Sequence, residues 1–533
     1  MCGISTILNY KNVYPEKEIL ESFEKGKKRG PENSTFMYRN NSFIGFHRLA
    51  INGLDKISNQ PIVNNNIVLI CNGEIYNWKY LKSILKINYK TNSDCEIIIH
   101  LYKEFGIKQT LQMLDGVFAF VLYDFEKGEV YVARDKFGVR PLFTFYNKDK
   151  NGVFGFSSEM KSIIQISNNN ISQMKPGTCE ILKLTKDKLW YRYNSFNFTL
   201  LDSFINNTIT ENNVCKIIRE SLVNAVKKRV ENTDRPISCL LSGGLDSSLI
   251  TSIVSKNIKD VKKLHTWSIG LEGSEDIRYA KKVSEYLGTT HHEIILSEKE
   301  FLESIKHVIY DIESYDTTTI RASVGNWLIS KYIKENSDTK VVFNGDGSDE
   351  LTGGYLYMHA CKDELEFDKE SRRLLNDIHY FDVLRSDRSI ASHGLEARTP
   401  FLDRNFVQTY LSIPYSLRYH PKNNNCEKYL LRKSFENLGY LPKEVLWRTK
   451  EAFSDGVSNQ TKSWFEIIQD YTYNYFDGKI KDKKQSEKKY YKNIFEIFYP
   501  NCDNIIPYFW MPKYVNAIDS SARTLNIYKK IKN

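Results

Sequence analysis

Ser242-Gly243-Gly244-Leu245-Asp246-Ser247-Ser248 decides the architecture of the second half of this 533-residue chain. Pro236 to Leu241, just before it, is a short apolar run that reads as a buried strand. Leu249 to Val254, just after it, spaces its apolar residues for the packed face of a helix. A strand, a glycine turn and a helix start together make an anion site. The first helical N–H groups are unpaired, and the macrodipole favours negative charge there. The glycines let backbone approach a phosphate, and Ser242, Ser247 and Ser248 add hydroxyl donors. Asp246 would repel phosphate by itself, which implies a Mg²⁺ between them. No lysine stands where a Walker loop needs one. The plain alternative, a serine-glycine turn capping a helix, explains fewer of the seven residues.

The stretch resembles the pyrophosphate loop of the ATP pyrophosphatases, a resemblance that implies ATP-driven adenylation of a carboxyl or carbonyl oxygen.

The totals set bounds. The length calls for two or more domains, and an apolar share of 41% is enough for packed cores. No apolar run approaches the ~20 residues of a membrane span, and no secretory signal is evident. Nine scattered cysteines without a CxxC pair suit reduced thiols in a cytoplasm rather than a disulfide framework or zinc site. The net charge is +10, yet runs such as Lys481-Asp482-Lys483-Lys484 are short and mixed. They predict no nucleic-acid or membrane partner; the charge instead favours anionic small molecules.

Cys2 becomes N-terminal if Met1 is removed. Its free α-amine, with a pKa near ~8, can then serve as the base for its own thiol. Strands are expected over Ile4–Leu8, Phe43–Ile51, Ile67–Cys71, Gly116–Asp124 and Gly128–Asp135, with a helix over 94–106. Between them stand Arg48, Asn72-Gly73-Glu74 and Asp94. Each has an ordinary reading: a surface ion pair for Arg48, a hairpin turn for Asn72-Gly73, a helix cap for Asp94. The ordered set resembles the class II glutamine amidotransferase domain, an N-terminal-nucleophile hydrolase. That resemblance implies Cys2 as nucleophile, with Asn72 and Gly73 as oxyanion donors. Arg48, Leu49, Ile51, Glu74 and Asp94, with Asn72 and Gly73, would hold glutamine. Arg29-Gly30-Pro31-Glu32 resembles the family's RGPD segment with Glu in place of Asp.

Alternating strands and helices from Asn213 onward predict a parallel, doubly wound sheet, with ligands beyond the carboxyl ends of its strands. The expected fold is therefore an α+β antiparallel sandwich (Ntn-hydrolase type, αββα) over 1–200, then an α/β doubly wound parallel-sheet domain over 211–533. Asn194 to Thr210 is the candidate linker. Tyr315-Asp316-Thr317-Thr318-Thr319-Ile320-Arg321-Ala322 is a polar loop entering a helix, suited to an acidic substrate. Asn344-Gly345-Asp346-Gly347-Ser348-Asp349-Glu350 is a second glycine-rich strand end, too short for an EF-hand loop.

With His393-Gly394-Leu395-Glu396-Ala397-Arg398-Thr399-Pro400 and Lys450-Glu451-Ala452-Phe453-Ser454-Asp455-Gly456, the whole is similar to the glutamine-hydrolysing asparagine synthetases. That resemblance implies aspartate activated by ATP as β-aspartyl-AMP, with release of pyrophosphate and amination by glutamine-derived ammonia through an apolar tunnel. ATP would lie on Leu241, Ser242, Gly243, Gly244, Asp246, Ser247, Ile269, Asn344 and Gly345. Aspartate would lie on Thr318, Thr319 and Arg321. Asp246 and Asp349 would hold Mg²⁺, and Lys450 and Asp346 would be catalytic. The family usually has Ser-Gly-Glu-Gly at 344–347; Asp346 is one carbon–carbon bond, about 1.5 Å, shorter than Glu, so altered coupling is expected. Two alternatives remain: a β-lactam- or amide-forming relative, and an idle nucleotide-binding regulatory protein, which the Asn344 and Asp346 departures alone support. The Tyr- and Lys-rich tail from His420 to Asn533 reads as packing or oligomer contact, and a homodimer stays open.

Overall fold

Val68–Ile70, Ala119–Val121 and Val130–Val132 are apolar or aromatic at every position, and such runs, covered on both faces, build the N-terminal half. The computed structural model describes all residues except 151, 168–169, 200–204, 206–207, 424–425, 452, 459–461 and 529–533. One antiparallel sheet orders its strands Ile171–Gln173, Phe143–Asn147, Val153–Ser157, Gly3–Leu8, Ser42–Arg48 and Asn33–Arg39. The second orders them Trp190–Asn197, Thr178–Leu184, Glu129–Arg134, Gly116–Asp124, Ile67–Ile75 and Ile62–Asn64. Ile4, Leu8, Ile44 and Phe156 of the first meet Val68, Ile70, Val121 and Val132 of the second in one core. The opposite face of the second sheet, with Leu69, Phe118 and Phe120, packs under the helix Ile97–Met113. The outer face of the first sheet carries Phe43 and Phe143. It packs with Ile19 and Phe23 of the helix Glu16–Glu24 and with Ile390, Ala391 and Leu395 of the second half.

That second half is built on five parallel strands. Their spatial order is Thr290–Leu296, His265–Leu271, Ile237–Leu240, Val341–Phe343 and Glu396–Arg398. The first strand in sequence lies at the centre, so the order in which strands are added reverses between it and Val341–Phe343, which run parallel. Loops leaving those two strands splay apart there and open a crevice for ligand. The loops are Ser242–Gly244 and Asn344–Gly347.

The expected sandwich and doubly wound sheet are both present. Three local expectations change. Asn72-Gly73-Glu74 is no turn but the continuing strand Ile67–Ile75, paired with Gly116–Asp124 throughout. The strand Trp190–Asn197 reaches into the candidate linker, and 200–204, 206 and 207 fall outside the described residues. The tail does not merely pack, since Trp510, Ser521 and Leu525 line the crevice.

The two halves meet through buried charges. Glu313 accepts the Met160 and Lys161 N–H groups at 2.9 and 2.8 Å and pairs with Arg388 at 2.9 Å. Asp387 takes Arg29 at 2.8 Å and Arg140 at 3.5 Å. Removing one member of such a set strands its partner out of water. Glu313→Ala is expected to cost about 3–5 kcal/mol, read as a lower urea midpoint by near-ultraviolet circular dichroism. An unchanged midpoint would show that Arg388 and Lys161 tolerate isolation.

Candidate active site

The N-terminal site sits where the strand Gly3–Leu8 begins. Cys2 Sγ donates to the Leu49 carbonyl at 3.5 Å, and burial pushes its thiol up to about 11. Met1 still precedes it, buried, its amine donating to the Leu395 carbonyl at 3.0 Å and lowered by burial to about 5. Both polar side-chain atoms of Asn72 are buried and unbonded among the described residues. A buried amide without partners is costly, and the strand holds it there for something to bind. Gly73 follows of necessity: a side chain would meet the Val117 carbonyl at 2.5 Å.

Two buried acids face this space. Glu74 Oε2 takes Asn52, Asn232 and Arg398 at 2.6, 2.8 and 3.3 Å, which leaves Oε1. Burial, then Glu396 and Asp94, raises its pKa well above the carboxylate range. Burial likewise lifts Asp94 to about 6, against the Ile75 N–H that it accepts at 2.7 Å. A substrate ammonium between them would relieve both. Arg48 gives Nη1 to the Asp55 carbonyl and Asn59 at 2.7 and 2.6 Å, and one Nη2 hydrogen to the Gly53 carbonyl. Its Nε edge makes no hydrogen bond among the described residues and suits a carboxylate. The carbonyl of Ile51 is taken by the Asp234 N–H at 2.9 Å, whereas the Leu49 carbonyl faces the thiol. Glu32 is settled by the Ala50 N–H at 2.7 Å and Arg235 at 2.8 Å.

The second site is the crevice. Gly243 has φ +70°, and a side chain there would lie 2.5 Å from the Ala280 nitrogen. No side chain caps the helix Leu245–Lys256, so its first N–H groups face the cavity. Ser242 and Ser247 hydroxyls lie 2.9 Å apart. The neighbouring loop comes so close that a Cβ on Gly345 would lie 2.7 Å from that of Asp246. Ser348 donates to Asp246 at 2.8 Å. Leu241 and Ile269 are buried beside this space and line it.

Asp246 and Asp349 converge on one cation. Lys428 Nζ lies 2.5 Å from a carboxylate oxygen of each, and Lys450 Nζ lies 2.5 Å from the other oxygen of Asp349. Burial alone would raise Asp349, but the two lysines outweigh it and hold the carboxyl well below its usual range. Burial lifts Asp346 to about 6 despite Arg385, 2.9 Å from Oδ1. Its other oxygen accepts from Asn344, whose amide also donates to Ser386, at 2.7 and 2.6 Å.

Thr318, Thr319 and Arg321 line the same cavity. Thr318 donates to the Trp510 carbonyl at 3.4 Å and Thr319 to Asp316 at 2.7 Å. Arg321, expected to contact aspartate, is engaged by protein groups in this structure. All five of its N–H donors are directed at Glu487, Asp519 and Ser520. Sequence reading also passed over Lys428 and Arg385. No glycine motif marks either: Lys428 stands just before the helix Tyr429–Phe435, and Arg385 lies on the helix Asp382–Ala391. Of the lysine segment, Ala452 and the side chains of Phe453 and Ser454 lie outside the described residues.

A nucleophile-bearing antiparallel sandwich beside a phosphate-binding parallel sheet is a glutamine amidotransferase joined to an ATP-using synthetase. A model of the glutamine amidotransferase domain matches residues 1–189, and one of asparagine synthase matches 217–365 and 359–504. The chain is similar to the glutamine-hydrolysing asparagine synthetase of Gallus gallus, 43% identical with 94% of each chain covered. Those of Mus musculus and Homo sapiens are 41% and 40% identical, with 99% of each chain covered. This chain belongs to the glutamine-hydrolysing asparagine synthetase family. Within it, Asn72→Ala is expected to lower glutamine hydrolysis about 10²–10³-fold while ammonium-driven synthesis persists, measured as glutamate and asparagine release. Equal loss of both would remove Asn72 from the oxyanion role.

Proposed function

We infer that this enzyme converts aspartate to asparagine with ATP, taking nitrogen from glutamine. What supports the reading most is the crevice itself, where an uncapped helix start, two acids on one cation and a threonine pair share one cavity.

At the first site Met1 is removed, and the freed α-amine of Cys2 takes the thiol proton. The thiolate attacks the glutamine side-chain carbonyl, Asn72 and the Gly73 N–H stabilise the oxyanion, and ammonia leaves. Glu74 and Asp94 receive the substrate ammonium, and the Nε edge of Arg48 its carboxylate. Water then releases glutamate and restores the thiol.

At the second site the aspartate β-carboxylate attacks the α-phosphorus of ATP, and pyrophosphate leaves onto the Ser242–Ser247 cradle. Lys450 stabilises the charge on the phosphates. Ammonia attacks the acyl carbon of β-aspartyl-AMP, AMP departs, and a proton is lost from nitrogen. Asp346 is placed to take that proton, since a carboxyl with a pKa of about 6 is ionised at neutral pH and still basic. Thr318 and Thr319 offer hydroxyls to aspartate. Asp246 and Asp349 are oxygen donors that already share a cation position, a set that fits Mg²⁺ completed by phosphate oxygens, which would neutralise phosphate charge. Among the described residues no group of three or more His, Cys, Asp or Glu could hold a metal by itself. No described helix is long and apolar enough to cross a membrane; a cytoplasmic location is part of the proposal.

Cys2→Ala should abolish asparagine formation from glutamine and leave the ammonium-driven reaction and aspartate-dependent pyrophosphate release. Pyrophosphate release without aspartate would overturn the reading. Asp346→Glu should change the ratio of asparagine to glutamate formed; an unaltered ratio would mean that side-chain reach at 346 does not set the coupling.

A further inference from the structure

Lys450 stands on a loop, yet its ammonium must meet phosphate oxygens at a fixed place. Its chain neighbours are tied on both sides. Two residues earlier, Arg448 donates to Asp276 at 2.9 Å and lies 4.1 Å over the Tyr279 ring. One residue later, Glu451 turns to the C-terminal segment. There Arg523 Nε donates to Oε1 at 2.9 Å, and the Tyr528 hydroxyl donates to Oε2 at 2.8 Å. Arg523 Nη2 also reaches the Asp455 carbonyl at 2.8 Å, and Ser521 donates to the Asp455 carboxylate at 2.8 Å. The start of the same segment is fixed by Arg321, which donates to Asp519 at 2.6 and 3.0 Å. Ser520, Ser521, Ala522 and Leu525 of this segment line the crevice.

The side chains of Glu451 and Arg523 are only 6% and 13% exposed. A charge-assisted bond that far out of water is strong and directional, unlike a surface pair. With Arg448 fixed before Lys450 and Glu451 fixed after it, the intervening peptides have little freedom. The lysine is therefore aimed at Asp349 and at the place of the phosphates by partners that touch neither.

We propose that Arg523 is a positioning residue for the synthetase reaction, acting through Glu451 to hold Lys450 in place. This rests on the adenylation reading of the crevice, and aspartate-dependent exchange of labelled pyrophosphate into ATP separates the two. If the native enzyme shows no such exchange, that reading fails. If it does, Arg523→Ala should lower the exchange kcat at saturating ATP and aspartate about 10–100-fold, the scale of a misplacement near 1 Å. The KM for glutamine and the rate of glutamine hydrolysis should stay unchanged. Tyr528→Phe should lower the same kcat less. The charge-swapped double variant Glu451→Arg, Arg523→Glu should recover part of what Arg523→Ala loses. An exchange kcat unaffected in Arg523→Ala would overturn the proposal. So would a loss that glutamine hydrolysis shares in equal measure in both single variants, because that is the mark of general structural damage.

Discussion

The molecule depends on charges that are buried between its halves and cannot be left alone there. Arg29, Arg140, Arg388 and Lys161 meet Asp387, Glu313, Glu159 and Glu396 with almost no exposed surface. Such pairs add little net stability over well-packed apolar residues, yet separating them is expensive. Their contribution is geometric, because a shifted docking would part charges that are paired across the halves. The helix Asp382–Ala391 carries that geometry between the sites. Arg385 and Ser386 reach Asp346 and Asn344, while Asp387 takes Arg29 of the amidotransferase half and Arg388 lies 4.6 Å over the ring of its Phe143.

The crevice applies the opposite balance. Lys428, Lys450, Arg385 and Arg448 stand close to Asp246, Asp349, Asp346 and Asp276, so each carboxylate has a cation before any nucleotide arrives. Phosphate entering such a site meets ammonium groups already desolvated and oriented, and little reorganisation remains to be done during reaction. Asn344 has a distinct part. Its amide spans Asp346 and Ser386, and so fixes the Asp346 carboxylate.

Where local sequence and local structure coincide, the sequence was legible. Gly243 needs a positive φ, the strand before it is apolar, and the helix after it is periodic, so the phosphate loop could be read directly. Gly116–Asp124 could likewise be read as a strand from its run of apolar and aromatic residues. What escaped was set by distant contacts. Glu396–Arg398 is three residues long, too short for any periodicity, and is a strand only because Val341–Phe343 pairs with it. Arg321 looked free for substrate because Glu487 and Asp519 lie far along the chain. Lys428 carries no motif, and its burial between two aspartates follows from the tertiary fold alone. Asn72-Gly73 has turn chemistry in isolation, but pairing to Ala119 and Phe118 keeps it extended.

The short edge strand has one more effect. Its approach is marked by the Leu395 carbonyl, which holds the Met1 amine, and its end by the Arg398 carbonyl, which accepts the Asn344 N–H at 3.1 Å. Three residues of extended chain, about 10 Å, therefore separate the peptide next to the segment that bears Cys2 from the peptide next to the loop that bears Asp346, so a displacement of this one short strand would be felt at both.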